Sequence, residues 1–190
     1  MRQLSDTLLT RLAEAAPRDD EEIFVELSGI LTELRGREVA LMRAGFPLGT
    51  VSGLWLDLED RDVIAVRDDT TNSEHEHVIL GHEIWHMFEG HCGTPGAGGR
   101  ASARSDAARA EVVEEVVAQV LGSRAQGLDA RDAQRLGYAA RTRFDHRHEA
   151  EAEMFGLRLG TDLRTFRRNL WRAGTGQVAA RIEDSLSRGL

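Results

Sequence analysis

His82-Glu83-Ile84-Trp85-His86 lies within a segment, Ser73 to about Gly90, that reads as a helix. On an α-helix, residues four apart stack on one face. Both imidazoles can therefore reach one metal ion, with Glu83 beside it as a candidate general base. The segment carries its own boundary signals. Ser73-Glu74-His75-Glu76 has the form of a capping box, with Ser73 as N-cap and Glu76 at N3. Beyond Gly90, the run Gly93, Pro95, Gly96, Gly98 and Gly99 reads as a loop.

Upstream, short β-branched and apolar runs suggest a small sheet. Glu38-Val39-Ala40-Leu41-Met42 is one strand, ended by Gly45, Pro47 and Gly49. Val51 to Leu58 and Val63 to Val66 flank Glu59-Asp60-Arg61-Asp62, the pattern of an antiparallel hairpin. Leu54, Leu56 and Leu58 alternate with Trp55 and Asp57, which predicts burial mainly on one face. Trp55 stands between two roles, core anchor or contact for an extended substrate at a sheet edge. Residues 3–15 and 20–35 carry apolar side chains at helical spacing and are separated at Pro17.

Downstream, Val112, Val113, Val116, Val117 and Val120 describe an amphipathic helix over 106–121, and 130–143 reads as a weaker one. A helix over 149–159 follows. Thr161-Asp162 reads as the cap of a further helix carrying Phe166, Leu170 and Trp171, which Gly174 and Gly176 then break.

Composition restricts the function. The chain has 190 residues, 41% hydrophobic and 29% charged, as expected of one globular domain. A net charge of −8 argues against a nucleic-acid surface, and the Arg141–Arg147 and Arg164–Arg168 runs read as solvated helix faces. One cysteine permits no internal disulfide and suggests a reducing compartment. Met1 to Asp6 lacks a signal-peptide core, and no stretch has the length of a membrane span. The expected location is cytoplasmic.

A hydrolytic metal site needs a third protein ligand and an open position. His91 is the near candidate. The metzincin pattern, however, wants Gly three and His six residues after the second helix histidine, and here Gly90 is four and His91 five after His86. The downstream candidate is His148-Glu149-Ala150-Glu151-Ala152-Glu153-Met154-Phe155-Gly156. A carboxylate from a second helix would complete a His₂Glu set. Glu149 and Glu153 share a face, whereas Glu151 points about 200° away. Spacing alone leaves both Glu149 and Glu153 open as the ligand.

The paired motifs resemble those of the ImmA/IrrE-like metallopeptidases, in particular actinobacterial members described as toxin components. In that family the helix-borne H-E-x-x-H is followed by E-x-E-A-(N/D/E)-x-(F/M)-A, which Glu149 to Gly156 follows closely. The resemblance covers roughly residues 20–160 and includes Gly53-Leu54-Trp55-Leu56 and Glu76-His77-Val78-Ile79-Leu80. It places the third ligand on Glu149 and leaves Glu153 as a candidate acceptor from a ligand imidazole. The chain departs from the family in a longer His86–Glu149 gap, and in Leu157-Arg158-Leu159-Gly160 where the family often has Leu-Leu-x-Pro.

These readings predict an α+β, zincin-like (gluzincin) domain with a small antiparallel or mixed sheet and additional C-terminal helices. Residues 1–160 would form the metallopeptidase domain, with a loop and helix insertion near 93–146, and 161–190 a helical extension of it. The expected set is His82, His86 and Glu149 on one Zn²⁺ per chain, with Glu83 as base. Manganese or another divalent ion also suits these donors. The resemblance implies a protein substrate, a helix-turn-helix repressor in a regulatory or toxin–antitoxin-like pair. The competing reading is a regulatory protein that docks on such a partner without cutting it. Tyr138, His146 and His148 are candidates to stabilise an oxyanion, and none is assigned. Among the remaining polar residues, His75 and His77 are expected to be solvated, Cys92 to be a free thiol, and Trp85 and Phe88 to be core anchors.

Overall fold

A computed structural model of the chain describes residues 1–46, 52–57, 60–69, 72–89 and 146–187, without the side chains of His146 and of 171–187. The expectations placed on His91, Cys92, Tyr138, the glycine-rich loop and the helices over 106–121 and 130–143 lie outside those residues. The described residues form a mixed α+β fold of four helices and one three-stranded sheet. None of these helices is long and apolar enough to cross a membrane.

Helix α1 (Arg2–Ala15) buries Leu8 and Leu12 and ends at Ala16, whose φ of 52° is left-handed. Helix α2 (Asp20–Arg35) starts where the Asp19 side chain accepts from the Glu22 amide, and stops at Gly36 with φ 72°. Its buried face is Ile23, Leu27, Ile30 and Leu31, the stripe the spacing predicts.

The sheet has the order β1-β3-β2, with β1 Glu38–Ala44, β2 Gly53–Asp57 and β3 Arg61–Arg67. β3 is central, parallel to β1 and antiparallel to β2. The predicted hairpin forms, and the sheet is mixed. One-faced burial of β2 does not hold. Leu54, Trp55 and Leu56 are 8%, 7% and 1% exposed, because Trp55 turns into the helical core while its neighbours enter the opposite, also buried, face.

Helix α3 (Ser73–Glu89) packs on β2, β3 and the long helix α4 (His146–Ser187). Its cap is Asn72 rather than Ser73: the Asn72 side chain accepts from the Glu74 amide at 2.9 Å. Ser73 Oγ instead accepts from Arg167, and Glu76 pairs with Arg43, so the capping box is not made.

α4 runs for 42 residues without the interruption expected at Thr161-Asp162 or at Gly174 and Gly176. Thr161 Oγ1 bonds back to the Leu157 carbonyl at 2.8 Å, which lets a hydroxyl sit inside a helix. Asp162 accepts from Ser5 Oγ of α1 at 2.7 Å, a tertiary use of what looks locally like a cap.

α3 and α4 cross at glycines on both helices, Gly81 on α3 and Gly156 and Gly160 on α4. A Cβ on Gly81 would lie 2.9 Å from Gly156 Cα, and one on Gly156 would lie 2.5 Å from the Val78 carbonyl oxygen. A Cβ on Gly160 would lie 2.7 Å from the Val78 side-chain methyl Cγ2. Backbone-to-backbone approach of this kind brings residues flanking the crossing on the two helices within reach of each other.

Candidate metal centre

His82 and His86 project from one face of α3, and Glu149 approaches them from the first turn of α4. The two Nε2 atoms are 3.0 Å apart, His82 Nε2 is 3.5 Å from Glu149 Oε2, and His86 Nε2 is 3.7 Å from Glu149 Oε1. An ion bound at about 2.0–2.1 Å in tetrahedral geometry has ligand atoms about 3.3–3.4 Å apart. The three separations bracket that edge, so these residues could hold a metal ion. They are also the only such group among the described residues. His86 is 1% exposed, and the Glu149 side chain is 42% exposed, so the cluster has a buried floor and an open side.

The electrostatics suit coordination. Burial pushes the His82 pKa below its ordinary value, and the Glu149 and Glu153 charges only partly oppose this. The imidazole is thus held neutral, the form that binds metal.

Glu83 sits between the cluster and β2. Its carboxyl is pushed up to about 8, first by burial and then by the Glu149 charge, while a hydrogen bond from the Trp55 backbone N–H opposes the shift. A cation held by the three donors would favour the carboxylate.

The sequence-selected residues separate clearly. His82, Glu83, His86 and Glu149 come together. Glu151 faces elsewhere and pairs with Arg147 at 3.1 Å. Glu153 is exposed and acts on His82 through its charge. Its spacing matches Glu149, but it lies one turn further along α4, outside the ring of donors. His148 is half-buried.

His75 is exposed as expected, but His77 is not solvated. It is 2% exposed, because it faces inward from the turn of α3 that packs toward α2 and α4. Trp85 is a core anchor, 5.1 Å from the Phe155 ring, and Phe88 packs against the same core.

Two positions beside the site were not singled out by sequence. Gly53 lies against Glu83, and Asp62, fully buried, accepts from the Trp55 indole at 2.9 Å. A glycine opening a strand is a signal of close backbone approach that could have marked the first. Asp62 read only as part of a turn. Comparison with known proteins adds no relative: no family model, no curated protein and no solved structure matches the chain.

Proposed function

We propose that this chain is a zincin-like, zinc-dependent endopeptidase. The reading rests on one observation above all: two helix-stacked imidazoles and a carboxylate converge at metal-ligand separations, with a second carboxylate, Glu83, beside them. A buried imidazole, with a half-buried imidazole and a half-buried carboxyl beside it, would be costly to gather on one helix face without a shared partner.

A bound zinc ion supplies Lewis acidity, acidifying water and polarising a carbonyl. Glu83 takes the proton from the attacking water as its oxygen bonds to the peptide carbonyl carbon. It then delivers that proton to the amine nitrogen as the C–N bond breaks. His82, His86 and Glu149 hold the ion, and the open side next to Glu149 admits the chain to be cut. The motif resemblance supports a helix-turn-helix repressor as substrate, cut within a regulatory or stress-response pair.

The test is elemental analysis of the purified protein beside Glu149→Gln and His82→Ala. About one zinc per parent chain, lost from both variants, is the expected result. Glu83→Gln should keep the zinc, lose peptide hydrolysis and retain the substrate as a trap. A parent that takes up no zinc when it is supplied would end the hydrolase reading in favour of a docking protein.

A further inference from the structure

The edge of β2 runs alongside Glu83, and its backbone pattern shows what it offers. Arg67 donates its backbone N–H to the Ser52 carbonyl. By the antiparallel alternation, Leu54 and Leu56 turn their backbone groups to β3, while Gly53, Trp55 and Asp57 turn theirs outward. No strand pairs with that edge among the described residues. An unpaired N–H near the core is costly, and the Glu83 carboxyl, whose Oε1 stands beside Gly53 on this same edge, accepts from the Trp55 N–H.

The approach depends on Gly53. A Cβ there would point to the same sheet face as Trp55 and lie 2.6 Å from Ile79 Cγ2 and 2.9 Å from Glu83 Oε1. Both contacts are too short, so any side chain would drive α3 and the strand apart. Trp55 is fixed from behind as well. Its indole N–H donates to Asp62, which is buried between Arg35 Nε at 3.0 Å and Arg37 Nε at 3.4 Å.

We propose that Gly53 and Trp55 are the positioning residues of Glu83. Gly53 lets α3 settle on the strand edge, and the Trp55 backbone N–H fixes the carboxylate next to the His82–His86–Glu149 cluster. The chemical meaning of this arrangement rests on the peptidase reading. The geometry itself does not, and it can be tested without metal.

Backbone amide exchange, followed residue by residue in the full chain, reads the contact directly. Glu83→Ala should speed exchange at Trp55 by about tenfold or more while leaving Leu54 and Leu56, bonded to β3, unchanged. Glu83→Gln keeps an acceptor oxygen and should restore slow exchange. Gly53→Ala should release Trp55 as Glu83→Ala does. An unchanged Trp55 amide in Glu83→Ala would overturn the proposal, and so would equal release of Leu54, Trp55 and Leu56 in Gly53→Ala.

A second measurement uses zinc-loaded protein and a mixed-sequence peptide substrate. Gly53→Ala should lower kcat about tenfold or more with zinc content and KM unchanged. An equal kcat would overturn the positioning role. Failure of the parent to bind zinc would count against the peptidase alone, since the exchange experiment still decides the contact.

Discussion

At the N-terminal end of α3, Glu76 is buried against the Arg43 guanidinium at 2.5 Å, and His77 lies among the charges of Asp20, Arg167, Arg43 and Glu74. Nearly two turns on, His86 is also buried, with His82 and Glu83 half-buried beside it, and both imidazoles turn to the Glu149 carboxylate. One end of the helix pairs its buried carboxylate, Glu76, with a guanidinium from β1 and keeps its buried imidazole, His77, neutral. The other end gathers its imidazoles around a single point with Glu149. Buried charges that are already paired belong to the scaffold. Metal-ligating groups that converge on one shared point define a site.

The largest effect on this contrast should come from the crossing that serves both ends. Gly156→Ala puts a methyl 2.5 Å from the Val78 carbonyl oxygen. It should cost about 3 kcal/mol in urea unfolding and reduce metal retention, because α4 must move away from α3. Second is His77, whose pKa is depressed by burial to about 4. A folded-state value below the unfolded 6.5 means that stability is full above about pH 6.5 and falls as pH drops toward 4. By pH 5 the loss should approach 2 kcal/mol, given about 1.4 kcal/mol per pH unit for one proton. His77→Phe should remove that part of the slope. Subtracting its stability–pH curve from the parent's cancels the contribution of His82.

Arg43→Met should cost somewhat less, roughly 1–2 kcal/mol, by leaving Glu76 unpaired. Metal content should stay at the parent level, and a variant that lost zinc would show that the two ends are coupled. The smallest effect expected is that of Trp55→Phe, about 1 kcal/mol from the lost bond to buried Asp62. It should leave zinc uptake unaltered, since no ligand touches the indole.

Much of this was legible in the sequence for physical reasons. The four-residue stacking of His82 and His86 is a property of any helix, and the strands announce themselves through β-branched runs between turn residues. Glu149 needed the motif register, since spacing could not separate it from Glu153. The structure separates them by one turn of α4.

Other features depend on tertiary partners and have no local signature. Ser73 and Asn72 are both good caps, and the choice between them is made by Arg167 reaching Ser73 from the middle of α4. Thr161-Asp162 resembles a helix start until Ser5 is seen to use the carboxylate. His77 looks like a surface residue until α2 and α4 close over it. The parallel pairing of β1 with β3 joins strands that are not consecutive, so no turn encodes it.

The glycine-lined crossing also makes α4 a lever with its pivot at Gly156. Glu149 is seven residues from the pivot, an arm of about 10 Å at 1.5 Å per residue. Metal–ligand distances tolerate roughly 0.2 Å, so for a rigid helix a swing of only about 1° would use the whole allowance. On the opposite arm, Arg167 grips Ser73 at 2.8 Å and Asp20 at 2.5 Å, about 16 Å beyond the pivot. A restraint on the longer arm holds the shorter one more tightly than it is held itself. The aim of the Glu149 carboxylate is thus steadied from the stretch of the helix beyond the crossing, away from the site.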